Sequence, residues 1–372
     1  MKLLRLCAHQ IRLNEPLPWN VRNEPGHLLL GKGFLLTDAA QVESLMERGV
    51  YVDADEYEAH LREQKAAAQA RATPFEMWSQ LLRRASALLR NHAANPNFAQ
   101  DMGTLSDQVG SAMREDVAAV TFEMIQGEPM GYAVTHAMQT AFVASLAAER
   151  LGWSDAERAT LVRAALTMNI AMLDLQNTLS KQTTAVSPQQ RAAIDAHSRE
   201  GRMALERANV ACGDWLLTVE QHHVTEGGGG LPEDRSSLSQ LACMVHYADV
   251  YLAKISPRAN RPAIPINLAA RELYVKAGGA NNPYVGAIIK QMGIFPPGAF
   301  VKLANGDTGI VVRPGETANT PEVHSLISAD GWVFPDPLPR DTRRAEFKVT
   351  SAVAHGNVLV QLNRGKLFGY AH

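Results

Sequence analysis

The feature that most constrains the fold of this chain is a long central stretch in which apolar residues recur three and four positions apart. Between about residues 75 and 290 this spacing repeats, as in Trp78, Leu81 and Leu82. Such a period places apolar side chains on one face of an α-helix. Because a chain of 372 residues can bury a sizeable core, the sequence predicts an all-α domain built around these faces.

A small α+β unit is predicted before the helical domain. Apolar triplets at Leu28–Leu30 and at residues 34–36 flank a Gly-Lys-Gly turn, which is typical of a hairpin. Asp38 is placed to cap a short helix, and an apolar strand follows at residues 50–52. The next segment, residues 55–73, is charged and rich in alanine, which predicts a helical linker.

The pattern changes from helical to β after Pro296-Pro297-Gly298. Asn305-Gly306 lies between apolar runs, which is a strong hairpin signal, and Asp330-Gly331 marks a second turn. Residues 358–360 predict a further strand. The predicted fold class is therefore mainly α, with an N-terminal α+β domain at residues 1–54, a linker at 55–73, an all-α domain at 74–295 and a small β region at 296–372.

Composition excludes several classes of function. The net charge is -2 and the 36 Lys and Arg residues are scattered, so no surface for wrapping DNA is predicted. The three cysteines lack C-x-x-C spacing, which argues against a disulfide framework and a cysteine-based zinc site. Arg5, His9 and Arg12 interrupt the apolar start, so we expect no export signal, and no apolar run of about 18 residues occurs in the sequence. We therefore expect a cytoplasmic protein without a membrane span.

Five polar residues of the helical region form the candidate site. A lone His or Asp on an apolar helix is more often a hydrogen-bonded core residue than a ligand, so each needs support from the others. Neighbouring side chains on a helix point about 100° apart, so an adjacent pair can face one site only near a helix end. The pair here precedes a glycine-rich loop, which favours that position. The candidates are His136, His197, His222, His223 and Asp249.

The order and spacing of these residues resemble the HD-GYP family, helical metal phosphohydrolases that hydrolyse the bacterial messenger cyclic di-GMP. The resemblance covers about residues 130 to 290 and implies an HD-superfamily helical bundle. In the family a helix His is followed by His-Asp-Ile-Gly-Lys, a further His, His-His with Asp-Gly-x-Gly-Tyr-Pro, and Ala-Asp in an apolar helix. The resemblance makes all five candidates ligands of a divalent metal, Fe, Mn or Zn.

This chain departs from the family at its defining motif. Met168, Asn169 and Met172 fall within the segment that reads His-Asp-Ile-Gly-Lys in the family, and residues 227–232 read Gly-Gly-Gly-Gly-Leu-Pro instead of Asp-Gly-x-Gly-Tyr-Pro. Tyr132 stands where some members have a Glu for a third metal. The amide of Asn169 is neutral, and the thioether of Met168 is poorly matched to Fe(II) or Mn(II). The sequence therefore predicts loss of the two-metal centre, with Asn169 and Asp249 left at the family's catalytic positions.

A basic segment further along resembles the family's phosphate-binding run. Residues 256–262 read Ser-Pro-Arg-Ala-Asn-Arg-Pro, against Ser-x-Arg-x-x-Arg/Lys-Pro in the family. Arg258 and Arg261 are thus candidates for charge-assisted contacts with a phosphodiester. The alternative is that both are solvated loop arginines. A phosphate-contacting Lys of the family is replaced by Met172.

Two functions from different classes follow from the resemblance. The first is a signalling module with impaired or lost catalysis that binds cyclic di-GMP, a related nucleotide, or a protein such as a diguanylate cyclase domain. The second is an active cyclic di-GMP phosphodiesterase with a remodelled, mononuclear site at His197, His222 and His223, since three His ligands suffice for one catalytic metal in other folds. One metal ion or none is expected, and both a homodimer and a different phosphohydrolase substrate stay open.

Overall fold

The computed structural model describes residues 2–6, 11, 15–47, 49–69, 72–223, 239–261 and 263–370. The chain divides into two compact units, Met1–Ala72 and Thr73–His372. The mainly α fold class predicted from the sequence is confirmed. The glycine-rich segment 227–232 and Pro262 lie outside the described residues. Among the helices that are described, none combines the length and the apolar character needed to cross a membrane.

The first unit is a small antiparallel sheet with two helices, in the strand order β1-β4-β2-β3. The predicted hairpin between Leu28–Leu30 and residues 34–36 is wrong. Leu28–Leu30 pairs with Val21–Arg22 instead, and Phe34 accepts a hydrogen bond from Leu17. The elements are β1 Leu3–Arg5, β2 Val21–Arg22, β3 Leu28–Leu30, α1 Ala39–Glu47, β4 Tyr51–Asp53 and α2 Ala54–Gln69.

The second unit begins with a helical bundle. Its helices are α3 Pro74–Arg90, α4 Phe98–Glu115, α5 Val117–Gln126, α6 Tyr132–Arg150, α7 Asp155–Thr167, α8 Leu173–Lys181, α9 Pro188–Arg207, α10 Gly213–Gln221, α11 Gln240–Ile255, α12 Ile266–Lys276 and α13 Pro283–Met292. A 3-10 turn at Ile170–Met172 joins α7 to α8, and another lies at Gly279–Asn281.

Helix α6 lies at the centre of the bundle. It is buried on nearly all sides and packs against α7, α11 and α13, as expected of a helix that is small or apolar all round. Helix α9 has a well-defined start because Ser187 and Gln190 form a capping box ahead of Pro188. Helices α6, α9 and α11 therefore give the candidate site a fixed frame.

A five-stranded antiparallel sheet follows the bundle, in the order β8-β7-β6-β5-β9. The hairpins at Asn305-Gly306 and Asp330-Gly331 form as predicted. The strand predicted at residues 358–360 is wrong, because Val358 packs as a loop residue into the core beneath the sheet. The elements are β5 Phe300–Leu303, β6 Thr308–Arg313, β7 Glu322–Ile327, β8 Val333–Arg340, β9 Val349–Val353 and α14 Arg364–Phe368.

The sheet shares a core with helix α5. Phe122 of α5 packs with Phe300 and Ile310 of the sheet. Gly298, at φ +92°, passes so close to α5 that a Cβ there would lie 3.1 Å from both the Phe122 carbonyl oxygen and the Ile125 Cβ. A glycine is therefore required where the chain enters the sheet.

Candidate functional site

Three histidines come together where α9 meets the end of α10. His197 lies on α9, and His222 and His223 follow directly after α10. One nitrogen from each ring lies within 4.8 Å of the others, and the Nε2 atoms of His197 and His222 are 3.2 Å apart. His197 and His222 are buried, whereas His223 is exposed. These three residues are called the three-His cluster below.

Backbone carbonyls orient the two buried rings of this cluster. The Nδ1 atom of His222 is 2.7 Å from the Val219 carbonyl oxygen, and Nδ1 of His197 contacts the Ile194 carbonyl in the same way. This arrangement places a proton on Nδ1 and leaves the Nε2 lone pair directed at the cluster, as in metal-binding histidines. Burial lowers the pKa of both rings. The neutral form, which binds metals, is therefore favoured.

His136 and Asp249 form a second pair. The Nε2 atom of His136 on α6 is 2.6 Å from Oδ1 of Asp249 on α11. Burial by itself would raise the pKa of Asp249, but the hydrogen bond and attraction of His136 reverse this and hold it well below its usual value. The other ring nitrogen of His136 is buried and has no hydrogen-bond partner among the described residues.

The pair and the three-His cluster belong to one region. Electrostatic attraction to His223 and His222 also lowers the pKa of Asp249, and Asp249 in turn acts to raise the pKa of His197. The structure thus brings together all five residues that the sequence predicted as ligands.

Met168 and Asn169 lie between α7 and α8. Met168 caps α7, is fully buried and belongs to the main hydrophobic core. Asn169 is 3% exposed, and its Oδ1 has no hydrogen-bond partner among the described residues. Gly201 of α9 faces this segment, because a Cβ there would lie 3.8 Å from the Met168 carbonyl oxygen. This segment therefore lies beside α9, the helix that carries His197.

The two predicted phosphate-binding arginines differ in their surroundings. Arg258 donates to the Tyr132 hydroxyl from Nη2 at 2.7 Å and from Nε at 3.0 Å, and its guanidinium lies 4.9 Å from the centre of the same ring. Tyr132 also stacks on His136, with ring centres 5.4 Å apart. Arg261 is exposed and donates to the Ala253 carbonyl. Arg258 is therefore tied to the site, and Arg261 to the end of α11.

His246 also lies at the site, although the sequence pattern did not predict it as a site residue. Its Nδ1 lies 2.8 Å from the His222 carbonyl oxygen, and its ring centre is 6.1 Å from that of His223. It precedes Asp249 by three residues on α11, a spacing that places both on one helix face. That spacing could have identified it. His246 braces the backbone between the two adjacent histidines.

No family model matches the chain. Over 152 residues, or 40% of its length, it is 30% identical to a cyclic di-GMP phosphodiesterase of Pseudomonas aeruginosa. The resemblance to the HD-GYP family is confirmed. The matched region spans 36% of that relative. A solved HDG"Y"P protein from Bdellovibrio bacteriovorus is similar over 78% of this chain and 99% of its own, at 16% identity and a TM-score of 0.49.

Distances between donor atoms test whether these residues fit the metal centre that the HD-GYP resemblance implies. Two ligands of one ion, each about 2.1 Å from it, lie about 3 Å or more apart. The 3.2 Å between the Nε2 atoms of His197 and His222 meets this condition. The 2.6 Å between His136 and Asp249 does not. The described residues therefore fit one ion at the three-His cluster and do not fit a second at the pair.

Proposed function

We propose that this chain is an HD-GYP-type signalling protein that binds cyclic di-GMP and whose capacity to hydrolyse it is impaired or lost. The observation that carries the proposal is the direct hydrogen bond between His136 and Asp249. In the family these positions would hold a metal together with the His-Asp pair. Here Met168 and Asn169 replace that pair, and His136 and Asp249 satisfy each other instead.

The loss affects the chemistry in a specific way. A binuclear centre lowers the pKa of a water and neutralises charge that develops on the phosphoryl oxygens. The thioether of Met168 lies in the apolar core, so it offers no hard ligand. The amide of Asn169 carries no charge to balance two cations. Hydrolysis by the family's usual route is therefore disfavoured.

The three-His cluster supports the binding of one divalent ion. His197, His222 and His223 would hold it, and when bound it would supply a Lewis acid beside a phosphodiester. The carbonyl contacts at Nδ1 of His197 and His222 fix the two rings for this role. The proposed ion is Fe, Mn or Zn.

Cyclic di-GMP is proposed as the ligand because the matched relative from Pseudomonas aeruginosa is a cyclic di-GMP phosphodiesterase. Arg258 supports this assignment, since its hydrogen bonds to Tyr132 hold its guanidinium beside the site. A planar guanidinium is suited to binding phosphate oxygens. Binding of a protein such as a diguanylate cyclase domain is a further way in which the module would act.

The second candidate function is an active phosphodiesterase with a mononuclear centre. It is favoured by one observation, the spacing of the three-His cluster, which suits a single ion with an open position. Metal-dependent turnover is the property that separates the two candidates.

The proposal is tested on protein purified without chelators. Metal content is measured by elemental analysis, cyclic di-GMP binding by calorimetry, and turnover with added Mn(II) or Fe(II). We expect at most one metal per chain, measurable binding and no metal-dependent turnover. His222→Ala should remove the metal, whereas His27→Ala, at an exposed position of the first unit, should not. Turnover that His222→Ala abolishes would establish the second candidate, and failure to bind cyclic di-GMP would contradict both.

A further inference from the structure

A cavity of about 240 Å³ opens between the end of α8, the start of α9 and the turn that follows α11. Two arginines line it, Arg191 from α9 and Arg258 from the turn. Gln182 and Asn260 add amide groups, while Leu179 and Val186 contribute apolar walls. The cavity thus combines cationic, amide and apolar surfaces.

The described residues that line this cavity include two cationic groups and no anionic one. Arg191 is exposed, and its guanidinium has neither a hydrogen bond nor an ion pair with any described residue. Among the described residues, the guanidinium of Arg258 contacts the neutral Tyr132 hydroxyl and ring and no carboxylate. Two guanidinium groups without a carboxylate favour an anion that presents several oxygens, such as a phosphate.

Hydrogen bonds brace the walls of the cavity. The Gln182 side chain donates to the carbonyls of Thr184 and Ala185, at 3.2 and 3.0 Å, and exchanges hydrogen bonds with the Gln190 side chain. Next to the lining residues Leu179 and Arg258, the Ala259 amide donates to the Ser180 carbonyl at 2.8 Å. A ligand would enter a site whose walls are already ordered, which reduces the entropic cost of binding.

The cavity adjoins both parts of the candidate site. Ile194 lines it, and the Ile194 carbonyl is the group that orients His197. Arg258 also lines it, and Arg258 is tied through Tyr132 to His136. The cavity is therefore connected to His197 through Ile194 and to His136 through Arg258 and Tyr132.

We propose that this cavity is a subsite for a phosphate-bearing part of the nucleotide ligand, with Arg191 and Arg258 in contact with phosphate oxygens. The inference rests on the proposed function and assigns a binding role to Arg191. Pockets that enclose a whole small ligand usually measure about 300–1,000 Å³. At about 240 Å³ this cavity is suited to part of a dinucleotide, and the remainder would extend towards the metal centre.

The test compares Arg191→Gln with Arg207→Gln in the full chain. Arg207 is an exposed arginine at the other end of α9, and it does not line the cavity. Calorimetry with cyclic di-GMP should show about tenfold weaker binding for Arg191→Gln, as expected for one lost hydrogen bond to a charged group, and a shallower dependence on salt. Arg207→Gln should bind as the unaltered protein does. Line broadening of inorganic pyrophosphate in phosphorus NMR provides a second probe that needs no dinucleotide.

The outcomes separate the subsite from the proposed function. If the protein binds cyclic di-GMP and the two variants bind it equally well, the subsite is wrong and the proposed function stands. If the protein binds pyrophosphate through Arg191 but fails to bind cyclic di-GMP, the subsite stands and the proposed ligand is wrong. If the protein binds neither cyclic di-GMP nor pyrophosphate, both the subsite and the proposed function are wrong.

Discussion

At the scale of single residues, the proposed function predicts that Met168 and Asn169 limit the site to one metal. Met168→His combined with Asn169→Asp restores the family's ligands beside His136 and Asp249. We expect this double substitution to raise the metal content by about one ion per chain, because His136 and Asp249 would exchange their mutual hydrogen bond for a shared ion. Elemental analysis after dialysis against Mn(II) measures the change.

The control for this experiment is Met203→His, which adds an imidazole at an exposed position of α9. It should leave the metal content unchanged. Circular dichroism and urea unfolding should be recorded for both proteins, because the double substitution places polar groups at a fully buried position. A folded double variant without additional metal would show that His136 and Asp249 are not metal ligands.

The spacing of residues along the sequence predicts which residues are candidates for the site, but not which of them bond to one another. His136, His197 and Asp249 could be assigned because their spacing along the chain matches a family pattern. The direct hydrogen bond between His136 and Asp249 depends on the separation of α6 and α11. No local sequence pattern predicts that separation. Arg191 carried no signal because one arginine on an exposed helix face is common. The proposed role of Arg191 depends on the cavity that it lines together with Arg258.

At the scale of elements, helices were more predictable than strands. Helical period and capping residues act within a few positions, so α9 could be expected from Ser187 and Gln190. The Asp330-Gly331 turn predicted where β8 begins, but not its length, because Pro335, Pro337 and Pro339 interrupt its pattern. Strand β8 is tolerated as an edge strand that pairs only with β7, since proline lacks an N–H for a second partner. Strand pairing depends on distant residues, which explains the error at residues 358–360.

Asp116 joins helix α5 to the C-terminal sheet. It caps α5 by accepting from the Ala119 amide, receives two hydrogen bonds from Arg313 of β6 at 3.1 and 2.7 Å, and accepts one from the Tyr370 hydroxyl at 3.0 Å. Asp116→Ala removes all of these contacts. We expect it to lower the free energy of unfolding by about 2–3 kcal/mol, since the cap and the ion pair are lost together. Urea titration followed by circular dichroism measures the loss.

A matched control exists in the same region. Asp336→Ala removes an exposed ion pair with Lys366, and exposed pairs contribute little to stability. Its unfolding midpoint should match that of the unaltered protein. Equal midpoints for Asp116→Ala and Asp336→Ala would contradict the role assigned to Asp116.

At the scale of the whole molecule, a buried ion pair links α5 to the last helix of the chain. Glu123 is 2% exposed, and Arg364 of α14 donates to its Oε1 at 2.7 Å. Its Oε2 has no hydrogen-bond partner among the described residues. Burial raises the pKa of Glu123 to about 7, and Arg364 only partly opposes this. An unpartnered buried oxygen supports the raised pKa, because it favours the protonated carboxyl group.

The raised pKa of Glu123 makes the stability of the second unit depend on pH. Since the folded state holds this proton more tightly than the unfolded state, with a pKa of about 7 against 4.5, the contribution is fully present below pH 4.5 and is lost as the pH rises through 7. At about 1.4 kcal/mol for each unit of pKa shift, the loss is up to about 3.5 kcal/mol. Glu123→Gln stays neutral at every pH and should not show it. Urea unfolding at pH 5 and pH 8 should therefore show that the stability advantage of Glu123→Gln over the unaltered protein is larger at pH 8 than at pH 5. A variant that is less stable by the same amount at both values would mean that Glu123 is charged throughout and paired with Arg364.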